Sequence, residues 1–142
     1  MNELDEDEAK YLQTALENEN NQNITKYSID KIKKEKGEIL EELCLPKREQ
    51  AFLTKRLKGY RYINDLDDIT VGRYIRWINL TRPETIKLTN GGIICEIKIE
   101  DGTYIVCKNN MNRLFQINFD ENLIFQKLTD QESIILMALD NL

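Results

Sequence analysis

The hydrophobic periodicity of this chain changes at about Tyr60, and that change constrains the fold more than any other feature. Before Tyr60, apolar residues recur at the three- and four-residue intervals of an amphipathic helix, whereas after it they alternate with a period of two, which is typical of strands. Turn-forming pairs, Asn90-Gly91 and Asp101-Gly102, separate the alternating segments. The sequence therefore predicts an α+β fold, in which N-terminal helices precede an antiparallel sheet.

The two turn signals predict a register for the middle of the sheet. Asn-Gly and Asp-Gly pairs favour two-residue type I′ hairpins, and two such hairpins place the apolar residues of three strands on one face. The predicted apolar face consists of Ile86, Leu88, Ile93, Cys95, Ile97, Ile99, Tyr104 and Val106. In this register Cys95 and Cys107 point to opposite faces, which excludes a disulfide between them, and both are interpreted as small buried hydrophobic residues.

The predicted β-domain covers residues 60–142. Further strands at 73–79, 113–119 and 123–128 bring the total to about six, enough for a β-meander or a small SH3-like barrel. Thr129 with Glu132 forms a capping-box pattern, which predicts a C-terminal helix that covers one open end of the sheet.

Residues 26–59 are predicted to form a helical hairpin. Ser28 is a good N-cap for the first helix, and Leu45-Pro46 ends it because the residue before proline avoids the helical region. The second helix begins at Pro46 and ends at Gly59. Neither helix can bury its apolar stripe alone, so the hairpin docks either on a partner or on its own β-domain. The stripe residues selected as candidates for protein binding are Ile32, Ile39, Leu43, Phe52 and Leu57.

Residues 1–25 carry seven acidic residues and one basic residue. One interpretation is a helix over about 3–18 followed by a mobile, Asn-rich linker at 17–23. The other is a disordered acidic arm, because five acids within the first eight residues repel one another. The sequence leaves both open.

Several kinds of chemistry are disfavoured by composition. The chain has no histidine, which removes the commonest general base and metal ligand, and its three cysteines cannot supply the four ligands of a structural zinc site. The acids Asp65, Asp67 and Asp68 lack the spacing of a calcium loop and indicate a solvated turn or N-cap rather than a metal-dependent enzyme. We therefore expect a non-enzymatic protein with no cofactor and no metal site, and its leading interpretation is a protein–protein binding or assembly module.

A basic and aromatic run supports an alternative function. Residues 26–62 carry eleven bases and six acids, although the whole chain has a net charge of −5. Arginines that reach phosphate beside aromatics that stack on bases are typical of single-stranded nucleic-acid binding. The candidate residues are Lys55, Arg56, Lys58, Arg61, Arg73, Tyr74 and Arg76. The competing interpretation places Trp77 in the core and pairs the arginines with the aspartates of 65–68.

No apolar run approaches the roughly 20 residues that span a bilayer, and the acidic N-terminus lacks the pattern of a signal peptide. We therefore expect no membrane association and no secretion. The segments LKGYRYINDLDDITVGRYIRWINL, LTNGGIICEI and CKNNMNRLFQINFDENLIFQKL, within about residues 57–140, resemble a family of small uncharacterised proteins of giant DNA viruses. That resemblance implies a viral origin, a location in the virion or in the host cytoplasm or nucleus, and a structural or accessory role. It assigns no functional residue.

Overall fold

The computed structural model describes residues 5–142, within which there are four α-helices and six β-strands. The helices are α1 (Glu6–Glu17), α2 (Ile29–Glu41), α3 (Lys47–Arg56) and α4 (Asp130–Asp140). The strands are β1 (Tyr60–Ile63), β2 (Tyr74–Asn79), β3 (Gly92–Ile99), β4 (Thr103–Lys108), β5 (Leu114–Asn118) and β6 (Asn122–Lys127). The predicted α+β fold is confirmed. The part of the predicted N-terminal helix that precedes Asp5 lies outside the described residues.

The strands form one antiparallel sheet in the order β1-β6-β2-β3-β4-β5. Strands β2 to β5 form the predicted meander, but β6 leaves it and pairs with both β1 and β2. A flat sheet would separate β5 from β6 by about 19 Å, since neighbouring strands lie about 4.8 Å apart. The short 3₁₀ helix Phe119–Glu121 joins them, and such a link spans at most about 14 Å. The sheet must therefore curl towards a barrel.

The concave face of the curled sheet encloses the first hydrophobic cluster. Its buried members include Ile75, Trp77, Ile94, Ile105, Cys107, Ile117 and Ile124. The interpretation that places Trp77 in the core is confirmed, because this side chain is 7% exposed, and Ile75 on the same face of β2 is 0% exposed. Phe115, on the edge strand β5, packs towards Trp77 with ring centroids 6.3 Å apart.

Helices α2 and α3 cover the opposite face of the sheet. Leu40, Leu53 and Leu57 pack there against Ile78 and Phe125. Strand β6 is consequently buried on both faces, which explains why four consecutive residues, Leu123–Gln126, are all buried. The helical hairpin thus docks on the chain's own β-domain, which is one of the two arrangements that the sequence left open.

A third cluster joins the N-terminal segment to α4. Ala15 of α1 and Ile24 packed beside it are buried with Ile135 of α4. The segment predicted as a mobile linker is instead a 3₁₀ helix, Glu19–Lys26. The buried Asn21 side chain donates hydrogen bonds to the Ala15 carbonyl at 2.8 Å and to Gln131 Oε1 at 2.9 Å. For residues 5–25, the disordered-arm alternative is therefore wrong.

The predicted hairpin at Asn90-Gly91 is wrong. Leu88 bridges Ile78 of β2, and β2 then pairs directly with the start of β3 through Tyr74 and Ile93. Residues 88–93 therefore run antiparallel alongside β2, with one extra residue between Leu88 and Gly92, rather than turning back on themselves. Gly91 is needed in this irregular segment because a Cβ there would lie 2.1 Å from the Ile75 carbonyl oxygen.

The predicted register between β3 and β4 is also wrong by one residue. Ile99 pairs with Thr103 across a three-residue loop in which Asp101 has a φ of 50° and Gly102 a φ of 140°. A β-bulge at Cys95 then shifts the pairing again, and bulges re-aim side chains in this way. Consequently Ile94, not Ile93, enters the core, and Ile93, Cys95 and Ile99 are exposed. The predicted apolar face is therefore not formed as a unit.

The predicted local signals at helix ends are confirmed. The Ser28 side chain accepts a hydrogen bond from the Lys31 backbone N–H, and Thr129 with Glu132 forms both bonds of a capping box. Gly59 follows α3 with a φ of 82°, the left-handed conformation that commonly ends helices.

Candidate functional site

The five residues predicted to bind a protein partner separate into two groups. Ile32 and Leu57 are buried at 6% and 0% exposure, and Ile39 and Leu43 are half-buried against the cluster beneath α2 and α3. Ile32 packs in the cluster that includes Ile135 of α4, and Leu57 packs beneath α2 and α3, so neither side chain is accessible to a partner. Ile39 and Leu43 are partly covered, and their role in binding stays a prediction. Phe52 alone of the five is largely exposed, at 55%.

The basic and aromatic residues predicted for nucleic-acid binding also fall into two groups, those engaged inside the protein and those at its surface. Arg61 is 3% exposed, and its guanidinium lies 4.8 Å from the Tyr27 ring centroid and 3.8 Å from Asp68 Oδ2. Tyr27 donates its hydroxyl hydrogen to the same carboxylate at 2.9 Å, and burial with this bond raises the pKa of Tyr27. Arg61 therefore holds the 3₁₀ helix and the β-domain together, and its predicted role as a phosphate ligand is wrong.

Arg73 is likewise engaged inside the protein. Its guanidinium is ion-paired with Glu132, whose carboxylate is buried at the start of α4 and also accepts the Thr129 backbone N–H at 3.0 Å. This contact joins the beginning of β2 to the capping box of α4. Arg73 is thus unavailable to a nucleic acid, which corrects a second residue of that prediction. The interpretation that pairs the arginines with the aspartates of 65–68 is correct for Arg61, which faces Asp68. It is wrong for Arg73, whose partner is Glu132.

The remaining candidates lie at the end of α3 and in the turn after it, and on β2: Lys55, Arg56 and Lys58, and Tyr74 and Arg76. Arg76 connects these two elements, because its Nε donates to the Thr89 carbonyl at 2.8 Å and its Nη1 to the Arg56 carbonyl at 3.4 Å. Tyr74 donates its hydroxyl hydrogen to the Asn90 carbonyl. The side chains of β2 that point away from the barrel core therefore organise the segment 85–90 against α3.

A groove lies between α3 and this segment. We call it the α3 groove; it encloses about 410 Å³ and is lined by Leu45, Glu49, Phe52, Leu53, Arg56, Arg76, Ile86, Lys87, Leu88 and Asn90. Leu45, Ile86 and Leu88 are half-buried and pack on the buried cluster that includes Leu53, so the floor of the groove is apolar.

The rim of the α3 groove is predominantly basic. Arg56, Arg76 and Lys87 face a single acid, Glu49, and the Arg56 guanidinium lies 5.1 Å from the Phe52 ring centroid. Arginine stacked on an aromatic ring retains its charge and its free N–H donors. The groove therefore combines an exposed aromatic wall, an apolar floor and a net positive rim.

Sequence reasoning identified Phe52, Arg56 and Arg76 but assigned them to two different functions. It missed the contribution of Ile86, Lys87 and Leu88, because their alternation was interpreted as a strand of the Asn90-Gly91 hairpin. The signal that could have found them is the run Thr81–Thr85, whose polar residues and Pro83 are typical of a long loop rather than of a tight connection.

The acidic run 65–68 is used structurally. Asp65 caps the short 3₁₀ helix Leu66–Asp68 by accepting the Asp67 backbone N–H at 2.9 Å, as the N-cap interpretation predicts. Asp68 faces Arg61 and Tyr27. Within residues 5–142, no three side chains of the metal-binding types lie close enough together to hold an ion.

The cysteines differ in exposure, which leads to a prediction for thiol reactivity. Cys44 and Cys95 are exposed, whereas Cys107 is buried, and burial raises its pKa to about 12. At about pH 8 we expect two thiols of the folded protein to react rapidly with an aromatic disulfide reagent. Cys107 should react only when the protein opens. A time course of thiol release checks this, with the Cys107→Ala variant as the control that retains the full rapid phase. Rapid reaction of a third thiol in the original chain would contradict the burial of Cys107.

Within residues 5–142, no helix has both the length and the hydropathy required to cross a membrane. Comparison of the chain with family models, with curated proteins and with solved structures returned no match.

Proposed function

We propose that this protein is a non-enzymatic binding module that accepts an acidic and apolar peptide segment of a partner protein in the α3 groove. The observation that carries the proposal is Phe52, a large aromatic side chain 55% exposed at the wall of an apolar groove with a basic rim. Aromatic and arginine side chains near the centre of a groove are the residue types that contribute most to protein–protein binding.

The proposed partner segment is complementary to the α3 groove in both hydrophobicity and charge. An apolar side chain of the partner would cover the Phe52 ring and the floor formed by Ile86 and Leu88, and this burial favours association by roughly 25 cal/mol per Å² of apolar area. Carboxylates of the same segment would contact Arg56 and Arg76. Charge complementarity at such a rim selects acidic partners and accelerates their association.

The nucleic-acid alternative receives less support from the same side chains. Arg61 and Arg73, two of its seven residues, are held in internal ion pairs. The Tyr74 hydroxyl and the Arg76 guanidinium make hydrogen bonds to backbone carbonyls. Of the residues that remain, Arg56 borders the aliphatic floor of the α3 groove, which suits apolar side chains better than stacked bases. Lys55 and Lys58 lie outside this groove.

The test is selection from a library of displayed random peptides on the immobilised full chain, followed by affinity measurement on the selected peptides. We expect enrichment of sequences that combine acidic with aliphatic or aromatic residues. Replacing Phe52 by alanine should weaken the selected peptide by about thirtyfold, which corresponds to the roughly 2 kcal/mol of an interface hot spot. Because Phe52 is exposed, the variant should retain its stability.

The matched control is Leu16→Ala on α1, which removes a side chain of similar exposure, 52%, on a different helix. This change should leave peptide affinity unaltered. The proposal is wrong if no peptide is enriched, or if Phe52→Ala and Leu16→Ala behave alike. Salt-dependent binding of a single-stranded oligonucleotide that Phe52→Ala weakens to the same degree would instead favour the alternative function. The viral origin and the structural or accessory role implied by the resemblance stay predictions.

A further inference from the structure

A second pocket lies on the opposite side of α3, between α2 and α3. We call it the lysine pocket; it encloses about 410 Å³ and is lined by Lys33, Lys36, Gly37, Leu40, Thr54, Lys55 and Lys58. This volume is within the range of small-molecule sites, which is about 300–1,000 Å³. Its residues are separate from those of the α3 groove.

The charges around the lysine pocket have one sign. Four lysines line it and no acidic residue does. Among the described residues, the ion pairs of side chains are Arg61 with Asp68 and Arg73 with Glu132, so none of the four lysines has a carboxylate partner. Like charges that line one pocket without a counter-charge disfavour one another's charged form, and a bound anion offsets that effect.

Lys36 is the central group of the pocket. Its side chain is only 8% exposed, and its Nζ donates to the Leu57 carbonyl at 2.9 Å and to the Tyr60 carbonyl at 3.0 Å. These carbonyls, at the end of α3 and just beyond it, hold the ammonium in place. An ammonium has three N–H donors, and the third has no acceptor within residues 5–142. Burial, and then the charge of Lys33, lower the pKa of Lys36.

The floor of the pocket is apolar and open. Leu40 is fully buried beneath it, and Gly37 lies in the middle of α2, where a Cβ would meet nothing within 4 Å. Glycine in a helix interior is less favourable than alanine. A methyl group at position 37 would therefore enter the pocket without displacing backbone or side chains.

We infer that the lysine pocket binds a small organic phosphate monoester, with the phosphate beside the lysine ammonium groups and the apolar part of the ligand against Gly37 and the aliphatic stems of the lysines, above the buried Leu40. A phosphate monoester carries a charge of about −1.5 to −2 near neutral pH, whereas a carboxylate carries −1. The more highly charged anion is the better match for several lysines. Lysine binds phosphate as a point charge, and all four charged groups here are lysines. The apolar floor distinguishes an organic phosphate from the inorganic ion.

The experiment is titration of the full chain with hexyl phosphate, followed by calorimetry and by NMR of the backbone amides. We expect saturable binding with shifts centred on Gly37, Leu40 and Thr54, and a rise in the pKa of Lys36 because a nearby anion favours the charged ammonium. Inorganic phosphate lacks the alkyl chain and hexanol lacks the phosphate group. Both should therefore bind at least roughly tenfold more weakly than hexyl phosphate, which corresponds to about 1.4 kcal/mol. Equal binding of hexanol, or no binding of hexyl phosphate, would overturn the inference.

Variants separate the site from a general charge effect. Lys58→Gln and Lys55→Gln, both at exposed residues, should each weaken hexyl phosphate several-fold, and Lys36→Met more strongly. The matched control is Lys34→Gln, which removes an exposed lysine of α2 outside the pocket and should leave affinity unchanged. If Lys36→Met does not fold, Lys55→Gln and Lys58→Gln still test whether hexyl phosphate binds in this pocket. Gly37→Ala should raise the midpoint of thermal unfolding while weakening the ligand, two effects of opposite sign that a merely structural role of this surface would not produce.

Two further arms define the source of the phosphate. Vesicles of phosphatidylcholine that contain phosphatidic acid should not compete with hexyl phosphate, because a membrane-borne head group cannot bring its chains into a pocket between two helices. Competition by the vesicles would overturn the small-molecule assignment. Phe52→Ala should not change hexyl phosphate affinity, so a failure here is distinguishable from a failure of the proposed peptide binding.

Discussion

Replacing Gly91 by alanine is expected to lower the free energy of unfolding by at least about 3 kcal/mol, or to prevent folding altogether. The alanine Cβ would lie 2.1 Å from the Ile75 carbonyl oxygen and 2.9 Å from Tyr74 Cε1. The backbone of β2 cannot retreat without breaking its pairing with β6. To this steric conflict is added the cost of a φ of 91° for a residue with a side chain, about 1–2 kcal/mol. Chemical denaturation measures the loss.

The matched control is Gly59→Ala. Gly59 has a similar φ, 82°, but a Cβ there would meet nothing within 4 Å, so only the conformational cost of about 1–2 kcal/mol applies. The difference between the two variants isolates the contact between Gly91 and β2. If both variants lose the same stability, Gly91 acts only as a turn residue, as the Asn-Gly signal predicts, and the close approach of Gly91 to Ile75 of β2 is wrong.

Replacing Glu132 by alanine is expected to cost about 3 kcal/mol, because breaking a buried ion pair by removing one partner leaves an uncompensated charge. Glu132 is 4% exposed and contacts both the Arg73 guanidinium and the Thr129 backbone N–H. Its loss removes the capping box of α4 and leaves the charge of Arg73 without a partner. The Arg73 side chain is only 13% exposed. Denaturant unfolding monitored by circular dichroism measures the change.

Two further variants separate the contributions. Glu132→Gln keeps an acceptor for the Thr129 N–H and isolates the loss of charge. The double change Arg73→Met with Glu132→Met removes both charges, and we expect it to be more stable than Glu132→Ala because no buried charge is left unpaired. A cost for Glu132→Ala no greater than that of Glu84→Ala, an exposed acid in the loop before β3, would contradict the role of this ion pair in joining α4 to β2.

The features that could be predicted from the sequence depend on residues close together in the chain. Ser28 caps α2 through a backbone N–H three residues away, and Thr129 and Glu132 form the capping box within one turn. Gly59 ends α3 through its own backbone conformation. Such interactions depend on few distant contacts, so the helices and most of the strands followed from local pattern. The strand Tyr60–Ile63 was not predicted, and the predicted strand before Asn90 forms only an isolated bridge at Leu88.

The strand register could not be predicted in the same way. Asn90-Gly91 has the composition of a tight turn, yet its conformation is imposed by packing against β2, which lies fifteen residues earlier. The bulge at Cys95 and the three-residue loop before Thr103 each shift the alternation by one position. A single shift exchanges the two faces of a strand, so small local departures redirected Ile93, Cys95 and Ile99 to solvent.

The candidate sites could likewise be predicted from the sequence only in part. Phe52, Arg56, Lys55 and Lys58 were recognised from the composition of one helix. Which of the basic residues are free was decided by distant partners: Arg61 meets Asp68 and Tyr27, and Arg73 meets Glu132, fifty-nine residues away. Neither the α3 groove nor the lysine pocket exists within one element, because each is formed only when α3 is placed against a neighbour.

The sequence by itself determined that helices precede a sheet, because the change of hydrophobic period at about Tyr60 reflects the geometry of the two kinds of backbone. It did not determine that β6 would lie between β1 and β2, with α2 and α3 covering its outer face. Only the tertiary structure decided this, since burial of apolar surface is not directional and rewards any arrangement that removes it from water. The change at Tyr60 thus separates two layers of one folded unit, with the helices packed directly on the sheet.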